Sequence, residues 1–134
     1  MFALHPQLEA DCVPVADMAV CRVLLMNNAR FPWLVLVPMR VGVRELHELA
    51  EQDFEAVTRE MRVVAKGFGK YCKADKMNVA ALGNIVPQLH IHIVARFVSD
   101  AAWPQPVWNS GVSAQAYEAG KLAVLVSELQ TLIA

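Results

Sequence analysis

The sequence lacks most of the features that would place it at once in a specialised class. Its longest apolar runs, such as Trp33–Met39 and Leu122–Val126, fall far short of the ~20 residues that a membrane-spanning helix needs. No basic region followed by an apolar block opens the chain, so no secretory signal is read and a cytoplasmic protein is expected. Net charge is nearly absent, with 12 basic against 13 acidic residues. Binding along a nucleic-acid backbone calls for a basic stripe, and there is none; a small anionic ligand stays open, because a few local donors can hold one. Cys12, Cys21 and Cys72 are odd in number and show no Cys-x-x-Cys spacing, which reads as three reduced, mostly buried thiols. Internal repeats, low-complexity tracts and linkers are also missing.

What remains is the length of one domain, 134 residues, with 56% hydrophobic residues and a mean hydropathy of +0.35. That apolar surplus can fill a core and still leave surface for a subunit interface, so a homodimer is expected.

The first eighteen residues, with Pro6 and Pro14, read as irregular or as a short helix. Cys21–Met26 reads as a buried strand, Asn27–Pro32 as a turn, and Trp33–Val37 as the return strand stopped by Pro38, which together make an antiparallel hairpin. Arg44–Ala50 suggests a short helical turn, with His47 on its surface. From Glu51 to about Tyr71, the residues Phe54, Val57, Met61, Val64 and Phe68 recur in steps of three and four, the stripe of an amphipathic helix. Met77–Ala81 reads as a strand, followed by a turn at Gly83-Asn84. A second helix is predicted near Ala114–Leu132, with Tyr117, Leu122, Leu125, Leu129 and Leu132 along one side. Hairpin strands mixed with separate helices point to an α+β domain on an antiparallel sheet.

The segment Gln88–Val98 (QLHIHIVARFV) alternates almost without fault. Leu89, Ile91, Ile93, Ala95 and Phe97 must face the core, which leaves Gln88, His90, His92, Val94 and Arg96 on the other, exposed face. Successive residues of that row stand roughly 7 Å apart. Two plainer readings compete: a strand with two surface histidines, or a pair of metal ligands that lacks a third partner nearby in sequence.

Gln88-Leu89-His90-Ile91-His92-Ile93-Val94 resembles the histidine triad motif, in which three histidines alternate with apolar residues, except that Gln stands in the first place. Upstream, Asn78 and Gly83-Asn84 resemble the family's Asn or Gln and its Gly-Gln pair. The hairpin Leu24–Asn27 and Leu34–Pro38 resembles the one that precedes the triad. The likeness spans residues 20–98 of a single domain covering 1–134, with 99–134 as a C-terminal extension. Within that extension, Ala101–Trp108 resembles the tail of a bacterial branch whose triad also begins with Gln.

The resemblance implies a five-stranded antiparallel sheet with a long helix and a C-terminal helix, extended by dimerisation. It implies a metal-independent hydrolase or transferase of nucleoside 5′-phosphoryl compounds that needs no cofactor. Dinucleoside polyphosphates such as diadenosine tetraphosphate, or nucleoside phosphoramidates, are the implied substrates. By position His90 is the nucleophile and forms a nucleotidyl-histidine; this needs a neutral imidazole whose other nitrogen is held by an acceptor. His92 and Gln88 complete the catalytic set. Asn78, Gly83, Asn84, Asn27 and Asn28 are the implied substrate-binding residues. Gln88 carries no proton at neutral pH, Ile85 stands where many members have Ser or Thr, and Trp33 stands where several have His. The loss of the first triad histidine and of a hydroxyl at Ile85 suits a second reading, a nucleotide-binding protein with little turnover; the His-x-His pair leaves a metal-dependent hydrolase as a third. Trp33 fills core or packs against a base, while Trp103 and Trp108 cover the ligand or meet a partner subunit.

Overall fold

The predicted hairpin is the centre of the sheet in the computed structural model, which describes residues 1–134. In chain order the elements are α1 (Pro6–Asp11), β1 (Cys12–Asp17), β2 (Cys21–Met26), β3 (Trp33–Pro38), a 3₁₀ turn at Leu46–Glu48, α2 (Glu51–Cys72), β4 (Lys76–Ala80), β5 (Ile91–Arg96) and α3 (Ala119–Ile133). The strands lie in the order β1-β2-β3-β5-β4, and every neighbouring pair is antiparallel. The α+β class and the five-stranded antiparallel sheet expected from the sequence therefore hold.

Strand β1 is the element that the sequence reading missed. Pro14 argues against an interior strand, because it cannot donate to a ladder. β1 is an edge strand, where that donor is dispensable, and its register with β2 slips between Pro14 and Ala16. Ahead of it, α1 starts at Pro6, whose fixed φ suits a first helical turn, and the His5 ring accepts from Gln7 N–H as its cap.

Helix α2 buries Val57, Val64 and Phe68 of the predicted stripe, while Phe54 at its first turn is exposed. Glu51 and Asp53 sit at the positive end of its dipole, and Lys73 ends it in the left-handed region (φ 56°). The helix is fixed to the sheet by a buried carboxylate, Glu60, which accepts from the backbone N–H groups of Val20 and Cys21. Helix α3 starts five residues later than predicted: Glu118 caps it through Gly120 N–H, and Tyr117 lies ahead of it. Leu129 is buried along its inner side, and Leu122 and Leu125 pack against the core.

The sheet is covered on both faces. On one, Val23, Leu25, Leu34, Leu36, Leu89, Ile91, Ile93 and Ala95 meet α2 and α3. On the other, Leu24, Trp33, Val35, Val37 and Val94 meet Leu8 from the N-terminal arm and Ala102 and Val107 from the segment that follows β5. Each fully buried Leu or Ile adds about 1.5–3 kcal/mol. The second layer overturns one expectation directly. The row of residues opposite the main core is not exposed: His90 and His92 are each only 6% exposed and Arg96 only 1%. Residues 1–8 and 101–112 fold over that face, and neither stretch carries a periodic pattern that announces it.

Candidate active site

The predicted strand Gln88–Val98 is shorter in the structure. Regular pairing runs only over Ile91–Arg96, so His92 lies on β5 while Gln88 and His90 sit on the approach to it. The alternation nevertheless holds, since Leu89 and Ile91 face the main core and His90 and His92 do not. The two imidazoles meet edge to face, with centroids 4.8 Å apart, closer than the ~7 Å that separates alternate residues of an extended strand.

Each ring is held by one nitrogen, and the two holders are of opposite type. His90 Nδ1 lies 2.7 Å from the carbonyl oxygen of Gln88. A carbonyl only accepts, so this nitrogen carries the proton, and in the neutral ring Nε2 has the free lone pair. His92 Nδ1 lies 3.0 Å from Trp33 Nε1. An indole only donates, so here Nδ1 is the bare nitrogen and Nε2 carries the proton. Burial, followed by the neighbouring His90, pushes His92 down to about 4, so it is neutral at pH 7. Neither Nε2 has a partner in the protein. Because Trp108 Nε1 is the only fully buried side-chain nitrogen or oxygen without one, both Nε2 atoms keep contact with solvent.

Trp33 therefore does more than fill the core. It packs edge-on against His92 (5.6 Å) and Trp108 (5.9 Å), and Trp108 lies 5.2 Å from His92. Parity makes the Trp33–His92 contact readable once the register is known. Val35 pairs with His92 and Trp33 with Val94, which makes Trp33 and His92 diagonal neighbours on one face. Of the other tryptophan in the tail, Trp103 lies against the Arg96 guanidinium. Arg96 is pinned by both carboxylate oxygens of Asp100 and by the Gln105 carbonyl, and this fixes the segment leading to Trp108.

The structure does not gather all the sequence-selected residues. The Gln88 side chain turns away to the N-terminal arm, where Oε1 accepts from His5 N–H and Nε2 donates to the Ala3 carbonyl, both at 2.9 Å. Asn78 Oδ1 accepts from Arg96. Asn28 Oδ1 accepts from the N–H groups of Arg30 and Gln115, and Asn27 Oδ1 from Tyr117 N–H. These two asparagines tie the C-terminal segment to the hairpin turn. Of the pair Gly83-Asn84, Gly83 does lie near His90. Gly83 takes a positive φ of 74° and lines the same cavity as His90, while the Asn84 side chain is exposed on the same loop. Ile85 is 90% exposed.

The cavity in front of His90 measures about 240 Å³ and is lined by Arg44, Glu45, Leu46, His47, Ala81, Leu82, Gly83, Leu89 and His90. None of the backbone N–H groups from Ala81 to Val86 donates to another backbone group, and Ala81, Leu82 and Gly83 of that loop line the cavity. His47, expected as a surface residue without a role, is exposed but stands on this wall, as does Arg44. Sequence reasoning passed over both, because only the loop's path brings them to His90. Glu48 shapes that path by accepting from the N–H groups of Arg44 and Glu45, bonds that hold its carboxyl below the usual carboxylate range. No third His, Cys, Asp or Glu joins the histidine pair in a metal-ligating cluster.

Residues 7–98 match the model of the HIT domain family. The chain belongs to the HIT family. Its fold is that of solved histidine triad proteins from Marinobacter aquaeolei (41% identity, 99% of this chain and 96% of that one, TM-score 0.96) and Bradyrhizobium japonicum (38% identity, 99% and 98%, TM-score 0.96). A hypothetical histidine triad nucleotide-binding protein from Sulfolobus tokodaii shares the fold at 15% identity, with 95% of this chain and 87% of that one covered and a TM-score of 0.68. No curated protein matches the chain. No helix of the structure is long and apolar enough to cross a membrane.

Proposed function

We propose that this HIT protein transfers the nucleoside monophosphoryl group of a nucleoside 5′-phosphoryl compound to His90 and then to water or another acceptor. The observation that carries the reading is the 2.7 Å contact between His90 Nδ1 and the Gln88 carbonyl, which leaves Nε2 as a free nucleophile at a cavity. Nε2 attacks the α-phosphorus, the bond to the leaving group breaks, and the phosphorylated ring becomes cationic. Its positive charge strengthens the hydrogen bond to Gln88 O. Water then adds to phosphorus, the P–N bond breaks, and the nucleoside monophosphate leaves His90 as it began.

Charge that develops on the phosphoryl oxygens needs preorganised donors. The free N–H groups around Gly83 and the Nε2–H of His92 supply them, and the Asn84 amide is available on the same loop. Asn78, Asn27 and Asn28 reach substrate only through their amide nitrogens, since their oxygens are occupied. Gln88 acts as a positioning residue: its side chain is clamped at both ends, and its carbonyl sets the tautomer of His90. No metal takes part in this scheme. Dinucleoside polyphosphates such as diadenosine tetraphosphate, and nucleoside phosphoramidates, are the substrates to try.

A second reading, a nucleotide-binding protein with little turnover, is favoured by the Gln88 amide, which is tied to Ala3 and His5 and relays no proton. One experiment separates the two. The protein is incubated with adenosine phosphoramidate or diadenosine tetraphosphate, AMP release is followed, and the acid-sensitive adduct is trapped at high pH. An adduct at His90 that is absent in His90→Ala supports transfer; saturable AMP binding without adduct or turnover supports the binder. The homodimer is part of the proposal too. Edge strand β4 exposes Val79, and Leu82 and Ile85 follow it on the surface, an apolar edge that a second copy would cover. Light scattering reads this directly.

A further inference from the structure

The site has two features that the general reaction does not use. The first is the cation on the cavity wall. Arg44 lines the His90 cavity, yet its guanidinium enters none of the ion pairs, which involve Arg22, Arg40 and Arg96. Its only hydrogen bond is the one its backbone gives to Glu48. His47 stands beside it, and Glu45 is the one carboxylate among the lining residues. A guanidinium so placed, with its fork of donors unused, matches phosphate or carboxylate. The second feature is the lock on His92. Because Trp33 Nε1–H occupies Nδ1 at 3.0 Å, His92 presents Nε2–H as a neutral donor. A neutral imidazole N–H gives a hydrogen bond but is far too weak an acid to hand over its proton at pH 7.

We infer that Arg44 and His47 form a subsite for an anionic leaving group, so that the protein selects phosphoanhydrides over phosphoramidates. The inference rests on the reading of His90 as the nucleophile and names the substrate class of that site. In the step itself, the bond from His90 Nε2 to phosphorus forms while the P–O bond to the leaving group breaks. The leaving oxygen departs with both electrons as an anion, without a proton, and the charge it gains lies within reach of the guanidinium. An amine leaving group needs a proton at that moment, and neither neighbour of His90 in the Gln88–His92 segment supplies one: His92 is held neutral by its burial, and the Gln88 amide is on the N-terminal arm. The size of the cavity agrees. At about 240 Å³ it falls below the ~300 Å³ at which enclosed ligand sites begin, so it takes the phosphate end of a substrate and leaves the nucleoside outside it.

The test measures ADP against AMP, because ADP adds one anionic group to the same nucleotide. In the intact protein ADP is expected to bind at least tenfold more tightly than AMP by calorimetry. Arg44→Ala is expected to abolish that increment, and Arg44→Lys to restore part of it. With substrates, kcat/KM for diadenosine tetraphosphate is expected to exceed that for adenosine phosphoramidate by at least a hundredfold. Arg44→Ala should cost the anhydride at least ten times more than it costs the p-nitrophenyl ester of AMP. Equal affinities for ADP and AMP, an increment that survives Arg44→Ala, or faster turnover of the phosphoramidate would each overturn the subsite. Absence of nucleotide binding would overturn it as well. The p-nitrophenyl ester then decides the fate of the nucleophile separately, since an adenylylated His90 seen by mass spectrometry keeps that reading while the subsite falls.

Discussion

Acid should loosen this protein in a window set by His92. The ring is 6% exposed and is held down from 6.5 to about 4, first by burial and then by His90. An unfolded chain therefore takes up this proton near pH 6.5, whereas the folded protein refuses it until near pH 4. Between those limits the unfolded state binds more protons, so stability rises with pH. The contribution is fully present above pH 6.5, falls across the window, and is gone below pH 4. At about 1.4 kcal/mol for each pH unit, the loss amounts to about 3 kcal/mol. Urea unfolding measured from pH 8 to pH 4 reads it, with His92→Gln as the reference, since Gln can still accept from Trp33 but cannot titrate. Subtracting the two stability curves should leave a slope confined to this window. His90→Ala should shrink the effect only in part, because burial is the larger cause. Parallel curves for wild type and His92→Gln, within about 0.5 kcal/mol of each other, would refute the claim that His92 is kept neutral by its burial.

Three further outcomes follow from the same contacts. Trp33→Phe keeps an aromatic ring but leaves His92 Nδ1 buried without a donor, which costs about 1–3 kcal/mol in urea unfolding, and the rate of adduct formation at His90 should drop with it. Asp100 is held at about 2, chiefly by its hydrogen bond to Arg96. Asp100→Ala leaves a guanidinium that is 1% exposed without its carboxylate, and the expected loss is about 3–5 kcal/mol, together with altered near-ultraviolet signal from Trp103 and Trp108. Gln88→Ala releases Ala3 and His5, so proteases should cut the N-terminal arm sooner. Its kcat should fall more than its KM rises, because the residue orients the nucleophile and does not grip substrate.

The sequence carried the parity of β5 and the hairpin because both are local and periodic. Leu89, Ile91, Ile93 and Ala95 declare their face by alternation alone, and Val57, Val64 and Phe68 by helical spacing. The second layer was hidden for the opposite reason. Leu8, Ala102 and Val107 reach the sheet from stretches with no period, and Pro14 disguised β1 as a loop. The role of Gln88 was also out of reach, since its partners Ala3 and His5 lie more than eighty positions away in the chain. Without that contact, the amide reads as a donor facing substrate. Arg44 and His47 escaped notice for a similar reason, because nothing between residues 44 and 90 states that the two ends share a cavity.

Two histidines separated by one residue at the start of a strand are chemically identical until something distinguishes them. Here the distinction is made by a carbonyl on one side and an indole on the other. Gln88 O draws the proton of His90 to Nδ1 and leaves Nε2 with a lone pair; Trp33 N–H occupies Nδ1 of His92 and puts the proton on Nε2. Side by side, then, stand one imidazole with a free Nε2 lone pair and one neutral donor, and neither state needs a histidine at position 88. The same logic explains how Gln is tolerated at position 88. What His90 uses from that residue is its backbone, which any residue would provide, provided that its side chain keeps the backbone in place. A glutamine clamped by the N-terminal arm meets that condition. A Gln88→Glu protein tests it finely, because the carboxylate can still accept from His5 N–H but cannot donate to Ala3 O. If positioning is the whole of the role, it should lose only part of the activity that Gln88→Ala loses, with the acid limb of its pH profile unmoved.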